Sequence, residues 1–151
     1  MADDDSDGAV PSTSKGVSAT PDLELKLPAR AENVAVVRHA FGGFAEALSV
    51  DEQTLADIKL AVTEACTNVV IHAYEEHEDG DIEVDASIED RMLTVVIRDY
   101  GRGIVPRPDS PGLGLGLPLI ATLAETLELG KDDGDHTEVR MTFRLDDNHH
   151  A

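Results

Sequence analysis

EACTNVVIHAY, residues 64–74, ends a periodic pattern of apolar side chains that decides the fold. Apolar residues recur three or four positions apart from Leu55 to Ala73, which is the spacing of one face of an α-helix. Asp51 stands just before this pattern, where a side-chain oxygen can cap the first turn of a helix. The sequence therefore predicts an amphipathic helix that begins after Asp51 and runs to about Tyr74.

The residues before this helix predict a strand and a second helix. Residues 22–27, DLELKL, alternate apolar and polar side chains like a strand with one buried face. Apolar residues three or four apart predict a helix over residues 31–48, although two glycines weaken its middle. Residues 1–21 are rich in Asp, Ser, Thr and Pro without a periodic pattern, so we expect a disordered acidic tail there.

The residues after the long helix predict the rest of a sheet. Residues 81–90 and 92–99 have the pattern of two strands, with Asp90-Arg91 as the hairpin connection. The remaining predicted elements are a glycine-rich loop, a helix and two strands, at residues 112–116, 117–126, 127–130 and 136–145.

This order of elements favours one fold class. There is no regular alternation of strand and helix, so a doubly wound nucleotide fold is not expected. The order favours an α+β fold, a two-layer α/β sandwich with helices on one face of a mixed, mostly antiparallel sheet. We expect one domain over residues 22–146 and a frayed C-terminus over residues 147–151.

The composition is strongly acidic, with 12 Lys and Arg against 31 Asp and Glu, a net charge of −19. Nucleic-acid binding needs clustered cations, so no direct nucleic-acid partner is expected. Steering toward a basic protein partner, solubility and a high-salt cytoplasm would each explain the charge. The acidic N-terminus is unlike a signal peptide, and no segment approaches the roughly 20 apolar residues of a membrane span, so a cytoplasmic location without membrane contact is expected.

Glu64 and Asn68 are the first candidate site residues. A spacing of four places them on one face of the predicted helix, away from its apolar stripe. Asn68 can offer an amide oxygen to Mg²⁺, and Glu64, one turn away, can act as a general base. A solvated polar face would give the same spacing. His72 by itself is more often a structural residue than a metal ligand, so zinc is not expected.

Three further segments carry possible chemistry. Asp99-Tyr100-Gly101-Arg102-Gly103 follows an apolar strand, and its carboxylate could accept a hydrogen bond from an amine such as adenine N6. Gly112, Gly114 and Gly116 open a helix, where backbone N–H groups can bind an anion. Thr137 lies on the last predicted strand. Taken singly, each segment also fits an ordinary turn, loop or strand.

Together these segments resemble the motifs of the GHKL (Bergerat-fold) ATPase superfamily over roughly residues 23–145. EACTNVVIHAY resembles its N box, DYGRG its D-x-G-x-G box and GLGLGL its second glycine box. The ending His72-Ala73-Tyr74, the eight residues between the glycine boxes and the single domain are similar to the anti-sigma-factor serine/threonine kinases.

The resemblance implies roles for these residues and for partners. Glu64 would be the catalytic base and Asn68 the Mg²⁺ ligand. Asp99 would hold the adenine amine of ATP with Thr137 nearby. Gly101 and Gly103 would shape the base pocket. Gly112, Gly114 and Gly116 would enclose the phosphates. The resemblance also implies a homodimer that binds a sigma factor and phosphorylates a serine or threonine of an anti-sigma-factor antagonist.

Two alternatives stay open at this point. A GHKL module could control a partner other than a sigma factor, with or without phosphoryl transfer. A pure binding module could keep ATP as a structural ligand. Glu64 and Asn68 argue against the second alternative, because an adenine pocket alone needs neither of them.

Overall fold

The structure is a computed structural model that describes residues 20–74, 79–101, 111–131 and 136–145. These residues form an α+β fold of five strands and three α-helices. In chain order the elements are β1 (Leu23–Pro28), α1 (Ala31–Ala47), α2 (Glu52–Asn68), a π-helical turn (Val69–Ala73), β2 (Asp81–Glu89), β3 (Met92–Asp99), α3 (Pro111–Leu123), β4 (Thr126–Lys131) and β5 (Thr137–Arg144).

The five strands form one sheet in the order β1-β2-β3-β5-β4. The sequence predicted a mixed, mostly antiparallel sheet, and every pairing between the described strands is antiparallel. Asp90 and Arg91 both have positive φ angles, 54° and 61°, as a two-residue hairpin turn requires for the right-handed twist of its strands. The last strand, β5, pairs with β3, so Thr137 at the start of β5 lies beside Asp99 at the end of β3.

The core lies between the helices and one face of the sheet. Alternate residues of β5 and of the first part of β2 are buried, as expected of strands with one covered face, whereas β3 also buries Val96 on its other face. Asp51 caps α2 as predicted, its carboxylate accepting a hydrogen bond from the Thr54 amide at 3.3 Å. The largest fully buried side chains are Phe41, Ile58, Ile82, Leu93, Ile97, Ile120 and Met141.

Helix α3 differs from its prediction. The glycine-rich loop predicted over residues 112–116 is the first part of this helix, which begins at Pro111 and ends at Leu123. Proline is favoured as the first residue of a helix because an N–H at that position would have no acceptor within the helix, so its absence loses no hydrogen bond. Pro118, which a helix beginning at residue 117 would hold in its first turn, lies inside the helix instead. Leu117 and Ile120, three positions apart, are buried, and this packing favours a continuous helix.

Several predictions lie outside the described residues. They are the disordered tail over residues 1–21, of which only 20 and 21 are described, and the frayed C-terminus over residues 147–151. Among the described helices, none has the length and apolar character needed to cross a membrane.

A substitution in α1 tests the helix through its two central glycines. A Cβ added at Gly43 has no heavy atom within 4 Å, so alanine fits without a clash. We expect Gly43→Ala to raise the free energy of unfolding by about 0.5–1 kcal/mol, because glycine loses more backbone entropy than alanine on entering a helix. Urea denaturation of both proteins measures the change. A decrease in stability would contradict the helical assignment at this position.

Candidate functional site

Asn68 occupies the last position of α2, and it is buried rather than exposed. The sequence predicted that this side chain projects away from the core, but it is only 4% accessible. The physical reason is α3, which packs on α2: a Cβ on Gly116 would lie 2.8 Å from Asn68 Nδ2. Nδ2 is buried and has no hydrogen-bond partner within the described part of the chain. Because Gly116 has no side chain, the Asn68 amide fits beside α3, and its Nδ2 donor has no hydrogen-bond partner among the described residues.

Glu64 lies one turn before Asn68 on α2, and its side chain is partly exposed. No hydrogen bond or ion pair to Glu64 is found among residues 20–74, 79–101, 111–131 and 136–145. Leu60, an apolar side chain that is 42% exposed, lies one turn before it on nearly the same side of α2. The carboxylate is therefore open to a proton donor that approaches from solvent.

Asp99 ends β3 as a buried carboxylate with 1% accessibility. It pairs in register with Thr137, the first residue of β5, which is 7% accessible. Its Oδ1 accepts a hydrogen bond from the Gly101 amide at 3.1 Å, which closes the turn after the strand. A buried carboxylate and a buried threonine thus lie side by side at one end of the sheet.

Tyr74 joins the end of the α2 region to the turn that holds Asp99. Its hydroxyl donates to the Asp81 carbonyl at 2.8 Å and accepts from the Tyr100 amide at 2.9 Å. A Cβ at Gly101 would lie 2.7 Å from Tyr74 Cδ1 and would overlap the Ala73 carbonyl oxygen. Burial, the largest effect, raises the pKa of the Tyr74 hydroxyl above its ordinary value. Tyr74 is the last residue of the EACTNVVIHAY motif, and this role was not predicted from the sequence.

A charge network lies on the sheet face opposite the helices. Arg98 donates to Asp85 Oδ2 at 2.7 Å and to Glu138 Oε2 at 2.9 Å, which joins three neighbouring strands. Burial of Glu138 opposes its ionisation, but hydrogen bonds from Arg98 and His136 keep the pKa of its carboxyl below the ordinary value. The Tyr100 ring lies 5.5 Å from that of His136, centroid to centroid. These contacts fix the strand ends that carry Asp99 and Thr137.

Two of the predicted glycines pack against the C-terminal end of α2 and the π-helical turn that follows it. Gly116 contacts Asn68 from α3, and Gly101 contacts Ala73 and Tyr74 from the turn after β3. Gly112 and Gly114 belong to the first turns of α3. Gly103 lies outside the described residues.

This arrangement fits Mg·ATP by the chemistry of its donors. An asparagine oxygen is a ligand type that Mg²⁺ prefers, and the unpaired Asn68 Nδ2 is a donor suited to a phosphate oxygen. The buried Asp99 carboxylate is an acceptor suited to an exocyclic amine. The first turn of α3 presents backbone N–H groups, which favour anions without needing a cationic side chain.

Removing one oxygen tests how far Tyr74 supports this site. We expect Tyr74→Phe to lower the free energy of unfolding by about 1 kcal/mol, because one donor and one acceptor lose their partner. Tyr100→Phe is the matched control: it also removes a tyrosine hydroxyl, but one that reaches the Glu83 carboxylate at the surface, and we expect a smaller loss. Urea denaturation measures both. Equal losses would contradict a special role of Tyr74.

Comparison with known proteins places this geometry in a family. A family model described as the histidine kinase-like ATPase domain matches residues 27–143. An anti-sigma F factor from Clostridium beijerinckii is 32% identical over 128 residues, which cover 78% of this chain and 90% of the relative. A serine-protein kinase RsbW from Bacillus thuringiensis is 34% identical over 127 residues, which cover 74% of this chain and 79% of the relative.

A solved structure agrees with the fold. The crystal structure of the RsbU and RsbW domains of a Mycobacterium tuberculosis protein superposes with a TM-score of 0.67 at 24% identity, covering 83% of this chain and 32% of that one. That likeness supports the fold alone. The family model spans most of the chain and the relatives align over most of their own length, so the chain belongs to the anti-sigma-factor serine/threonine kinases of the GHKL ATPase superfamily.

Proposed function

We propose that this protein binds a sigma factor and uses Mg·ATP to phosphorylate a serine or threonine of an anti-sigma-factor antagonist. The observation that carries the proposal is the junction at the end of α2. There Glu64 is open to solvent, Asn68 is buried one turn further on, and the Asp99–Gly101 turn packs against Ala73 and Tyr74. The names of the relatives, anti-sigma F factor and serine-protein kinase, support the two activities.

Each site residue has a role in this proposal. The Asn68 oxygen would hold Mg²⁺, and Asp99 with Thr137 would hold the adenine amine. Gly101 and Gly103 would shape the base pocket, and the α3 glycines Gly112, Gly114 and Gly116 would allow its backbone to approach the phosphates. When bound, Mg·ATP supplies the phosphoryl group and the cation that offsets its charge.

Glu64 would accept the proton of the substrate hydroxyl. A carboxylate that forms no hydrogen bond or ion pair within the described part of the chain is free to orient that hydroxyl. Proton acceptance by a positioned side chain contributes about 10²–10⁴-fold to a rate. Because phosphoryl transfer depends mostly on positioning and electrostatics, the chain needs no further reactive side chain for it.

The charge of the protein bears on which partner surface it binds, and the resemblance bears on its oligomeric state and location. The net charge of −19 would steer the protein toward a partner with a basic surface, which a sigma factor would have to present. We propose a homodimer in the cytoplasm, in line with the resemblance.

A phosphorylation assay tests the proposal. The full-length chain is incubated with Mg·ATP and a purified antagonist-type protein from the same genome, and phosphoserine and phosphothreonine are located by mass spectrometry. A parallel pull-down measures sigma-factor binding. Phosphorylation with sigma-factor binding supports both parts. Phosphorylation without it favours a regulator of another partner, and nucleotide binding without transfer favours the pure binding module.

A further inference from the structure

A groove of about 480 Å³ lies on the side of α2 that faces α1, away from the nucleotide-site residues. Its lining is mainly apolar, and it includes two cationic side chains, Arg38 from α1 and Lys59 from α2. The residues that matter to its chemistry are Arg38, Leu55, Ala56, Lys59, Leu60 and Thr63. Glu52, one turn from Ala56, adds a carboxylate at the end remote from Glu64.

The two cations are unusual in a chain with a net charge of −19. Arg38 makes a long hydrogen bond to the Thr63 hydroxyl, 3.4 Å, and neither Arg38 nor Lys59 forms an ion pair with any carboxylate in the part of the chain that the structure describes. The Lys59 ammonium lies across α1, 3.8 Å from the position of a Cβ on Gly42. Both charges are therefore available to a ligand carboxylate.

The groove leads toward Glu64. Leu60, 42% exposed, lines the groove and lies one helical turn before Glu64, on nearly the same side of α2. Lys59 is about 7.5 Å from Glu64 along the helix axis and most of a helix width around it, so the two side chains are roughly 12 Å apart. An extended peptide covers that distance in about four residues at ~3.3 Å each.

We propose that this groove binds the segment of the substrate protein that carries the phosphoacceptor hydroxyl. The inference rests on the proposed kinase function and adds a substrate chemistry to it. An apolar side chain about two residues from the acceptor packs on Leu60 and Ala56. An acidic side chain about four residues from it pairs with Arg38 and Lys59. Because the protein as a whole repels acidic ligands, these two cations set the register of the segment rather than its overall attraction.

An oriented peptide library tests the groove. Library members carry one central serine or threonine and vary at the four positions on each side. The full-length wild type is compared with the Arg38→Glu/Lys59→Glu double variant, and Arg144→Glu is the control. Arg144 is an exposed cation on the sheet face opposite the helices, so its reversal changes charge without touching the groove.

We expect the wild type to select Asp or Glu about four positions from the acceptor by roughly tenfold over Lys, and the double variant to reverse that choice. Mg·ATP affinity and thermal stability are measured on all three proteins. The same selection by the wild type and the double variant, or a change as large in Arg144→Glu, would overturn the groove while leaving the kinase function standing. Transfer to the antagonist protein but to no library member would overturn the groove alone. No transfer to any serine or threonine of either substrate would instead overturn the kinase function, and the groove proposal with it.

Discussion

Glu64→Gln is expected to reduce phosphoryl transfer by at least about 10²-fold while Mg·ATP binding stays within about twofold of the wild type. The change replaces a carboxylate by an amide of nearly equal shape, so it removes proton acceptance without removing volume. General base catalysis contributes about 10²–10⁴-fold, which sets the expected range. Glu64 is partly exposed and makes no described contact, so the fold should not depend on it.

Asp57→Asn is the matched control for this experiment. Asp57 lies seven residues before Glu64, two turns along the same side of α2, and accepts a hydrogen bond from Gln53 that an asparagine oxygen can also accept. Both variants remove one negative charge from one helix face. Single-turnover transfer to the antagonist protein and calorimetric titration with Mg·ATP separate chemistry from binding. Equal rates in Glu64→Gln and the wild type would show that Glu64 is not the base.

The long helix and the hairpin were predictable because their signals are local. The apolar spacing from Leu55 to Ala73 and the cap at Asp51 depend on residues within one or two turns, and the structure confirms both. Asp90-Arg91 likewise joins two strands directly, so the hairpin follows from the alternation on each side. Such features need no knowledge of what packs against them.

Features that depend on distant contacts were not predictable. Three glycines in six residues indicated a loop, but α3 gains its helical conformation from packing on α2, which the local sequence does not encode. The same packing buries Asn68, which the helix pattern alone placed at the surface. The position of β5 beside β3, and with it the pairing of Asp99 and Thr137, follows from sheet order rather than from either strand.

The role of Tyr74 was missed for a related reason. Its hydroxyl bridges the start of β2 and the turn after β3, two places brought together only by the sheet register. In the sequence it is simply the residue where the helical pattern ends. The signal that could have identified it is the pair of glycines, Gly80 and Gly101, where any Cβ would meet the Tyr74 ring.

Asp99→Asn is the second change with a large expected effect, and we expect it to weaken the binding of Mg·ATP. The substitution removes the negative charge that accepts a hydrogen bond from the adenine amine. It also places the asparagine NH2 group, a donor, opposite that amine, which is a donor as well. Hydrogen bonds to charged groups contribute about 1.5–3 kcal/mol, so we expect Mg·ATP affinity to fall by roughly 10–100-fold. The fold should survive, because an asparagine oxygen can still accept from the Gly101 amide.

Asp85→Asn is the control, since it makes the same chemical change on the neighbouring strand and on the opposite face of the sheet. Asp85 forms an ion pair with Arg98 at 2.7 Å, and the sheet separates it from the predicted base pocket. Calorimetry with ATP and with GTP gives a further readout. The carboxylate of Asp99 should repel the guanine carbonyl, whereas an asparagine amide can donate to it, so the preference for ATP over GTP should shrink in Asp99→Asn alone. Unchanged ATP affinity and unchanged selectivity in that variant would place the adenine elsewhere, and the assignment of Thr137 would then lose its basis as well.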